Sequence, residues 1–183
     1  NNIINESGNT ITIGASGDTI TIPAGATLSN SGIMTGQNYP AFHAFLNTTQ
    51  TISDDTSTLV EFNTESFDTD SAYDTSTYRF TPQVAGKYYV YAAINHNPSS
   101  SNNLQQAMVG IRKNGSDITR NFFSSSTNPA DELVVTTEII VDLNGSSDYV
   151  DAVGLQTVSS GTNRFTGDST ISRTYFGGYR IGS

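Results

Sequence analysis

No stretch of this chain carries apolar residues at i, i+3, i+4 and i+7 over three helical turns. That absence constrains the fold more than any motif does. A chain of 183 residues with no amphipathic helix must bury its core between sheets. Thr, Tyr, Phe, Val and Ile are plentiful, while the helix formers Lys and Met are scarce. Apolar residues and turn signals together predict strands at Ala41–Leu46, Thr58–Asn63, Thr77–Thr81, Lys87–Asn95, Gln105–Lys113, Asp117–Ser124, Leu133–Leu143, Tyr149–Ser159 and Ser169–Ile181. Pro82, Asn114-Gly115, Asn144-Gly145 and Ser/Asn-rich stretches separate them. Nine strands without a helix predict a two-sheet sandwich or jelly roll over residues 39–183.

Residues 1–38 read differently. They hold no aromatic residue before Asn38 and no Lys or Arg. Asn9-Thr-Ile-Thr-Ile-Gly-Ala-Ser-Gly17 is followed directly by Asp18-Thr-Ile-Thr-Ile-Pro-Ala-Gly-Ala26. Thr10/Thr19, Ile11/Ile20, Thr12/Thr21, Ile13/Ile22 and Ala15/Ala24 align at a spacing of nine, and Asn2-Ile-Ile-Asn5 reads as a degenerate third unit. Burying these Ile side chains within one chain does not offset the entropy of ordering the segment, and a lone hairpin is marginal in water. Two readings follow: a disordered linker, or a fibrous β shaft in which several chains wrap and bury the Ile stripes. Linkers do not usually repeat Thr-Ile-Thr-Ile, so the shaft is preferred. The start at Asn1 is read as the excised end of a longer polypeptide.

Composition excludes several classes. Net charge is −9, which argues against a nucleic-acid partner. The absence of Cys removes disulfides, thiolate zinc sites and thiol nucleophiles. No apolar run approaches membrane-spanning length, so no membrane insertion is expected. Ser, Thr and Asn supply 23, 25 and 17 residues, a composition suited to a polar extracellular surface.

Phe80-Thr-Pro-Gln-Val-Ala-Gly-Lys-Tyr-Tyr-Val90 resembles the FTCPVPGxYYF signature of the globular head of complement component 1q, a family that shares its jelly roll with tumour necrosis factor. Tyr73-Asp74 with Thr77 is similar to the family's approach to that strand, with Tyr78 standing where Gly is usual. Val60-x-Phe62-Asn63, Ile111-Arg-Lys-Asn-Gly115, Leu143–Val150 and Thr174-Tyr-Phe-Gly-Gly-Tyr-Arg-Ile181 follow in the family's order. The resemblance runs from about residue 40 to the end. It implies a ten-stranded jelly roll that assembles as a homotrimer, with Phe62, Phe80, Tyr88 and Phe176 in the core. Three chains would carry 3 × −9 = −27, so an apolar, Tyr-rich interface with acids turned outward is expected. The family's Gly-X-Y stalk is absent. The Thr-Ile repeat in its place is similar to shaft segments that precede such heads in bacteriophage tail fibres.

Motifs for chemistry are weak. His43 reads as a solvent-facing or interface strand residue and His96 as a turn residue before Asn97-Pro98. No G-x-S-x-G elbow occurs, and neither does a phosphate-binding Gly-rich loop. Asp54-Asp55, Asp68 with Asp70, Asp131-Glu132 and Asp148 with Asp151 could pair for glycoside hydrolysis, but scattered acids are ordinarily surface solvation. The stretch Asp68–Asp74 lacks the Gly and terminal Glu of an EF-hand. Calcium occurs at the trimer axis in the resembled family; here it stays unassigned, the metal set is unknown, and no cofactor or catalytic residue is expected.

The function expected is the homotrimeric, receptor-binding C-terminal tip of a phage tail fibre, extracellular on the virion and recognising a host-surface glycan or outer-membrane protein. The alternatives are a secreted complement-1q-like binding head and a cell-surface polysaccharide hydrolase. Long connections at Asn97–Leu104, Ser125–Glu132 and Ser160–Asp168 alternate with tight turns, so they should share one end, distal to the shaft. Candidate receptor contacts are Asn97, Ser99, Asn102, Asn128, Asn163, Arg164 and Phe165. The last two are a cation and an aromatic in otherwise small, polar loops. The opposing reading folds Phe165 back onto the head and pairs Arg164 with an acid.

Overall fold

The computed structural model describes residues 13, 15–31 and 40–182. The chain divides into two compact units, Asn1–Gln37 and Asn38–Ser183.

In the first unit every described residue is exposed. Two turns organise it. The Asp18 N–H donates to Ala15 O at 3.0 Å, and the Ala26 N–H donates to Pro23 O at 3.0 Å. Gly17 (φ 92°) and Gly25 (φ 83°) take the left-handed third position that such turns reserve for glycine. The Asp18 carboxylate also accepts the Ala15 N–H at 2.7 Å. The turns recur at eight residues, while the Thr-Ile motif recurs at nine, because Pro23-Ala-Gly25 reaches its glycine one residue sooner than Gly14-Ala-Ser-Gly17. Among the described residues no ladder pairs Thr19–Ile22. The expected units at Asn2–Asn5 and Thr10–Ile13 lie, apart from Ile13, outside the described residues.

The second unit is all-β. In chain order its strands are β1 (Ala41–Phe45), β2 (Gln50–Thr51), β3 (Thr58–Leu59), β4 (Thr64–Asp68), β5 (Tyr73–Asp74), β6 (Arg79–Phe80), β7 (Gly86–His96), β8 (Leu104–Lys113), β9 (Ser116–Ser124), β10 (Leu133–Leu143), β11 (Val150–Val158), β12 (Arg164–Phe165) and β13 (Tyr175–Gly182). One sheet runs β2-β12-β7-β13-β1-β4, with β10 on the other edge of β7; the second runs β5-β6-β11-β8-β9, with β3 also on β11. All pairings are antiparallel. This is the jelly-roll sandwich expected.

The long strands fall where apolar alternation placed them; β10 matches Leu133–Leu143 at both ends. The short ones differ. The expected strand Thr58–Asn63 contracts to β3, and Thr77–Thr81 contracts to β6. The last strand starts at Tyr175 rather than Ser169, because the Asp168 carboxylate accepts the N–H groups of Thr170 (2.8 Å) and Ile171 (3.1 Å) and turns the chain first.

Six aromatic side chains, Phe42, Phe62, Phe80, Tyr88, Phe165 and Phe176, are fully buried between the sheets. Phe42 stacks on Phe80 with ring centroids 4.2 Å apart and meets Phe176 edge-on at 5.0 Å. The four core aromatics implied by the resemblance are all among the six.

Candidate functional site

The two ends of the sandwich have different chemistry. At one end the chain enters and leaves. The Arg180 N–H donates to Pro40 O at 3.0 Å, and Ala41 pairs with Tyr179. The Asn114-Gly115 and Asn144-Gly145 turns lie at this end. Asn114 Nδ2 donates to Asp148 at 2.8 Å, and Gly145 packs so closely on the Val84-Ala85 backbone that a Cβ would meet it at 2.2 Å.

At the other end the three long loops are stitched together. The Ser99 N–H donates to Thr162 O at 3.1 Å, and the Thr162 N–H donates to Ser99 Oγ at 2.7 Å. Ser159 and Ser160 hydroxyls donate to Asn103 Oδ1 at 2.6 and 3.1 Å. The Asn102 N–H reaches Asp131 Oδ1 at 3.3 Å, and Leu104 bridges Ala130. The loops therefore form one continuous surface on a rigid support, opposite the end where the strands begin and finish.

The seven candidate contacts divide into two groups. Ser99, Asn102 and Asn128 are exposed on that surface, and Asn97 is half-buried. Asn163 and Phe165 are buried and Arg164 is half-buried; all three hold the loops in place. Phe165 is fully buried, with its ring edge-on to His96 at 5.4 Å. Its slot exists because residue 154 is glycine: a Cβ there would meet Phe165 Cζ at 2.5 Å. Arg164 donates through Nε to Asn97 O (2.6 Å), and through its terminal nitrogen to Asn97 Oδ1 (2.9 Å) and Pro98 O (3.3 Å). It pairs with loop carbonyls rather than with an acid. Asn163 is buried and donates from Nδ2 to Asp54 Oδ1 at 3.0 Å.

His96, read as a turn residue at a strand end, is the last residue of β7 and is fully buried. His43 is half-buried on the outer face of its sheet, with Nδ1 2.9 Å from Ser66 Oγ. Among the described residues no carboxylate bonds to its other ring nitrogen, so this pair lacks the orienting third group of a triad. Among the described residues no three His, Asp or Glu side chains gather as metal ligands.

All eight Lys and Arg side chains are engaged. Lys87 meets Asp142 at 2.8 Å, Lys113 meets Asp148 at 2.8 Å, Arg120 meets Asp117, and Arg173 bridges Glu132 and Asp168 at 3.4 and 3.6 Å. Arg112 grips the fully buried Asp151 with two bonds of 2.6 and 2.8 Å. Arg79 lies over the Tyr149 ring at 4.1 Å. Arg180 donates to Ala85 O at 3.0 Å, and Arg164 to the loop carbonyls. No cation is left over at the loop end.

One broad apolar surface remains on the outer face of the β7–β13–β1–β4 sheet. Tyr89 lies 6.0 Å from Tyr91 and 5.5 Å from Tyr179; Tyr91 lies 6.2 Å from Tyr175; His43 stacks between Tyr175 and Phe67. Tyr179 and Phe67 are 47% and 49% exposed, and Ile140 on neighbouring β10 is 58% exposed. Glycine at 177 lets the Tyr91 ring lie across β13, since a Cβ would meet its hydroxyl at 2.4 Å. Alternation along β7 predicts Tyr89 and Tyr91 opposite Tyr88, but the band spanning four strands is visible only once the register is known.

Comparison with known proteins places this geometry. The family model of the C1q domain matches residues 41–181. A search of curated proteins found no match. Among solved structures, the globular domain of zebrafish complement 1qA protein is similar at 18% identity with a TM-score of 0.54, covering 78% of this chain and 97% of its own. The Eiger TNF of S. frugiperda is similar at 15% identity with a TM-score of 0.59, covering 79% of this chain and 94% of its own.

Proposed function

The chain belongs to the C1q domain family, and from that premise we propose that it is the homotrimeric receptor-binding tip of a phage tail fibre, with the long loops as its receptor face. The observation that carries this reading is the gathering of the three long loops at the end opposite the entry and exit of the chain, together with the Thr-Ile repeat in residues 1–38. Residues 1–38 are assigned as shaft, where three chains would supply the strand partners and the burial that one chain lacks. The exposed Tyr179 and Phe67 and the half-buried Tyr89, Tyr91 and Tyr175 between them are assigned to contacts between head protomers, because contiguous apolar faces mark association. The setting is extracellular, on the virion.

The receptor is expected to be a neutral, hydroxyl- or amide-rich group. Ser99, Ser101, Asn102, Ser160 and Thr162 offer both donors and acceptors. With every Lys and Arg already engaged and a net charge of −9, an anionic polymer finds no free cation. Three copies of a weak contact give avidity. The test is adsorption of the purified full chain to candidate host cells. Replacing the exposed Ser101, Asn128 and Thr162 by Asp should abolish adsorption while leaving the circular dichroism and melting temperature nearly unchanged. Adsorption that survives this change would remove the receptor assignment from the loop end.

A further inference from the structure

His96 sits where three strands meet at the root of the loops. It ends β7, pairs with Leu133 at the start of β10 and pairs with Phe165 on β12. Its ring is fully buried, neither ring nitrogen makes a well-aligned hydrogen bond, and its polar neighbours are the neutral Gln156 side chain and the Met108 backbone. The residues that share this layer are similarly half-satisfied. Asn163 Nδ2 holds Asp54 while its Oδ1 has no partner; Gln156 Oε1 accepts the Arg164 N–H at 3.3 Å while its Nε2 has none; behind them, on the other face of β7, Asn95 Nδ2 holds Glu132 at 2.6 Å while its Oδ1 has none. Each uses one polar group to hold a loop and buries the other unmet.

We propose that this layer is an acid-sensitive clasp: protonation of His96 puts a charge where nothing can take it and releases loops 97–103, 125–132 and 159–163 from the sandwich. The charged groups on every neighbouring element are already committed. From the β10 side, Glu132 is bonded to Asn95, Asn97 and Arg173. From β12, Arg164 is bonded to Asn97 and Pro98 and has the same sign as a protonated ring. From loop 52–57, Asp54 is bonded to Asn163 and to the Val158 N–H. β11 offers neutral Gln156, and β8 offers the Met108 backbone. A buried cation without a carboxylate is costly, and exposure to water relieves it. Burial accordingly pushes the ring down from 6.5 to about 3, only partly offset by Gln156 and Met108.

The sign follows directly. The native pKa is below the value in an opened state, so the clasp is fully closed above pH 6.5. It weakens as pH falls through the window from 6.5 to about 3. The proposal gives the proposed receptor face a regulation, and so rests on that reading for its purpose but not for its mechanism. Amide hydrogen exchange on the full chain, compared at each pH with His96→Gln, separates the two. In the wild type, opening of the three loops should rise by up to about tenfold per pH unit below about 6.5, while β8 amides and the Asn114-Gly115 turn stay protected. His96→Gln should lose that slope; His43→Gln, on the outer face, should keep it. Gln156→Glu, which places a carboxylate beside the ring, should raise the closed-state pKa and so flatten the slope or end it at a higher pH, and it serves if His96→Gln does not fold. Equal pH dependence in wild type and either clasp variant, or an NMR titration placing His96 near 6.5 in the closed head, would overturn the clasp. Acid-dependent loop opening in a protein that adsorbs to no host would leave the clasp standing and count against the receptor reading instead.

Discussion

Tyr78 occupies a left-handed conformation at φ 60°, in the position where the resembled family has glycine. The turn it closes is held by other groups: its N–H donates to Asp74 O at 2.7 Å, and the Asp74 carboxylate accepts from Ser76 and Thr77. The conformation costs a side chain roughly 1–2 kcal/mol, of which the added backbone entropy of glycine offsets about 0.5–1. Tyr78→Gly is therefore predicted to stabilise the head by about 0.5–1 kcal/mol in denaturant titration. The buried Asp151–Arg112 pair behaves oppositely. Arg112→Ala leaves a carboxylate with no exposure, 3.8 Å from Arg79, and should cost about 3 kcal/mol. Phe165→Ala should cost about 3–5 kcal/mol, because the ring fills the slot above Gly154. Sequence could locate these residues but not orient them. Arg164 and Phe165 stand out in a polar loop as binding groups do, yet a two-residue strand paired to Thr51, Gln50 and His96 turns the aromatic inward. So short a strand carries no alternation to read.

At the scale of elements, legibility tracks burial. β10 and the first half of β7 bury alternate side chains, while β8, β11 and the end of β7 are buried on both faces and read as continuous apolar runs between turn signals. β4, Thr64–Asp68, buries none of its side chains fully and pairs with β1 across a bulge at His43/Ala44; its sequence Thr-Glu-Ser-Phe-Asp shows no core-facing pattern. The start of β13 is set by a side-chain turn at Asp168, not by loss of apolar residues. Bonds from Thr170 and Ile171 hold the Asp168 carboxyl at about 2, below its ordinary 3.8. The stabilisation is present above about pH 4 and is lost as pH falls toward 2. Asp168→Asn should remove this acid limb from loop 166–174 in hydrogen exchange, in a window below that assigned to His96. The gathering of the long loops at one end was readable from the alternation of long and tight connections; the stitching of Ser99 to Thr162 and of Ser159 to Asn103 depends on loop conformations that residue order does not fix.

At the scale of the molecule, apolar side chains are left uncovered in both units. Among the described residues Ile13, Ile20, Ile22 and Leu28 are each about half exposed or more in the first unit, and Tyr179, Phe67 and Ile140 of the tyrosine band are exposed on the second. Chains of net charge −9 associate only where apolar contact outweighs mutual repulsion; at the β10 edge of the tyrosine band Glu138 lies opposite Tyr91, and Asp142 is neutralised by Lys87 at 2.8 Å. Tyr179→Asp places a charge within that band at an exposed position, so it should leave the fold intact and dissociate the assembly. The proposed shaft and the proposed head contacts both require three chains. Light scattering of the purified chain at micromolar concentration should give 3 × 19.5 = 58.5 kDa, falling to one third of that in Tyr179→Asp. A wild-type mass of 19.5 kDa would contradict both.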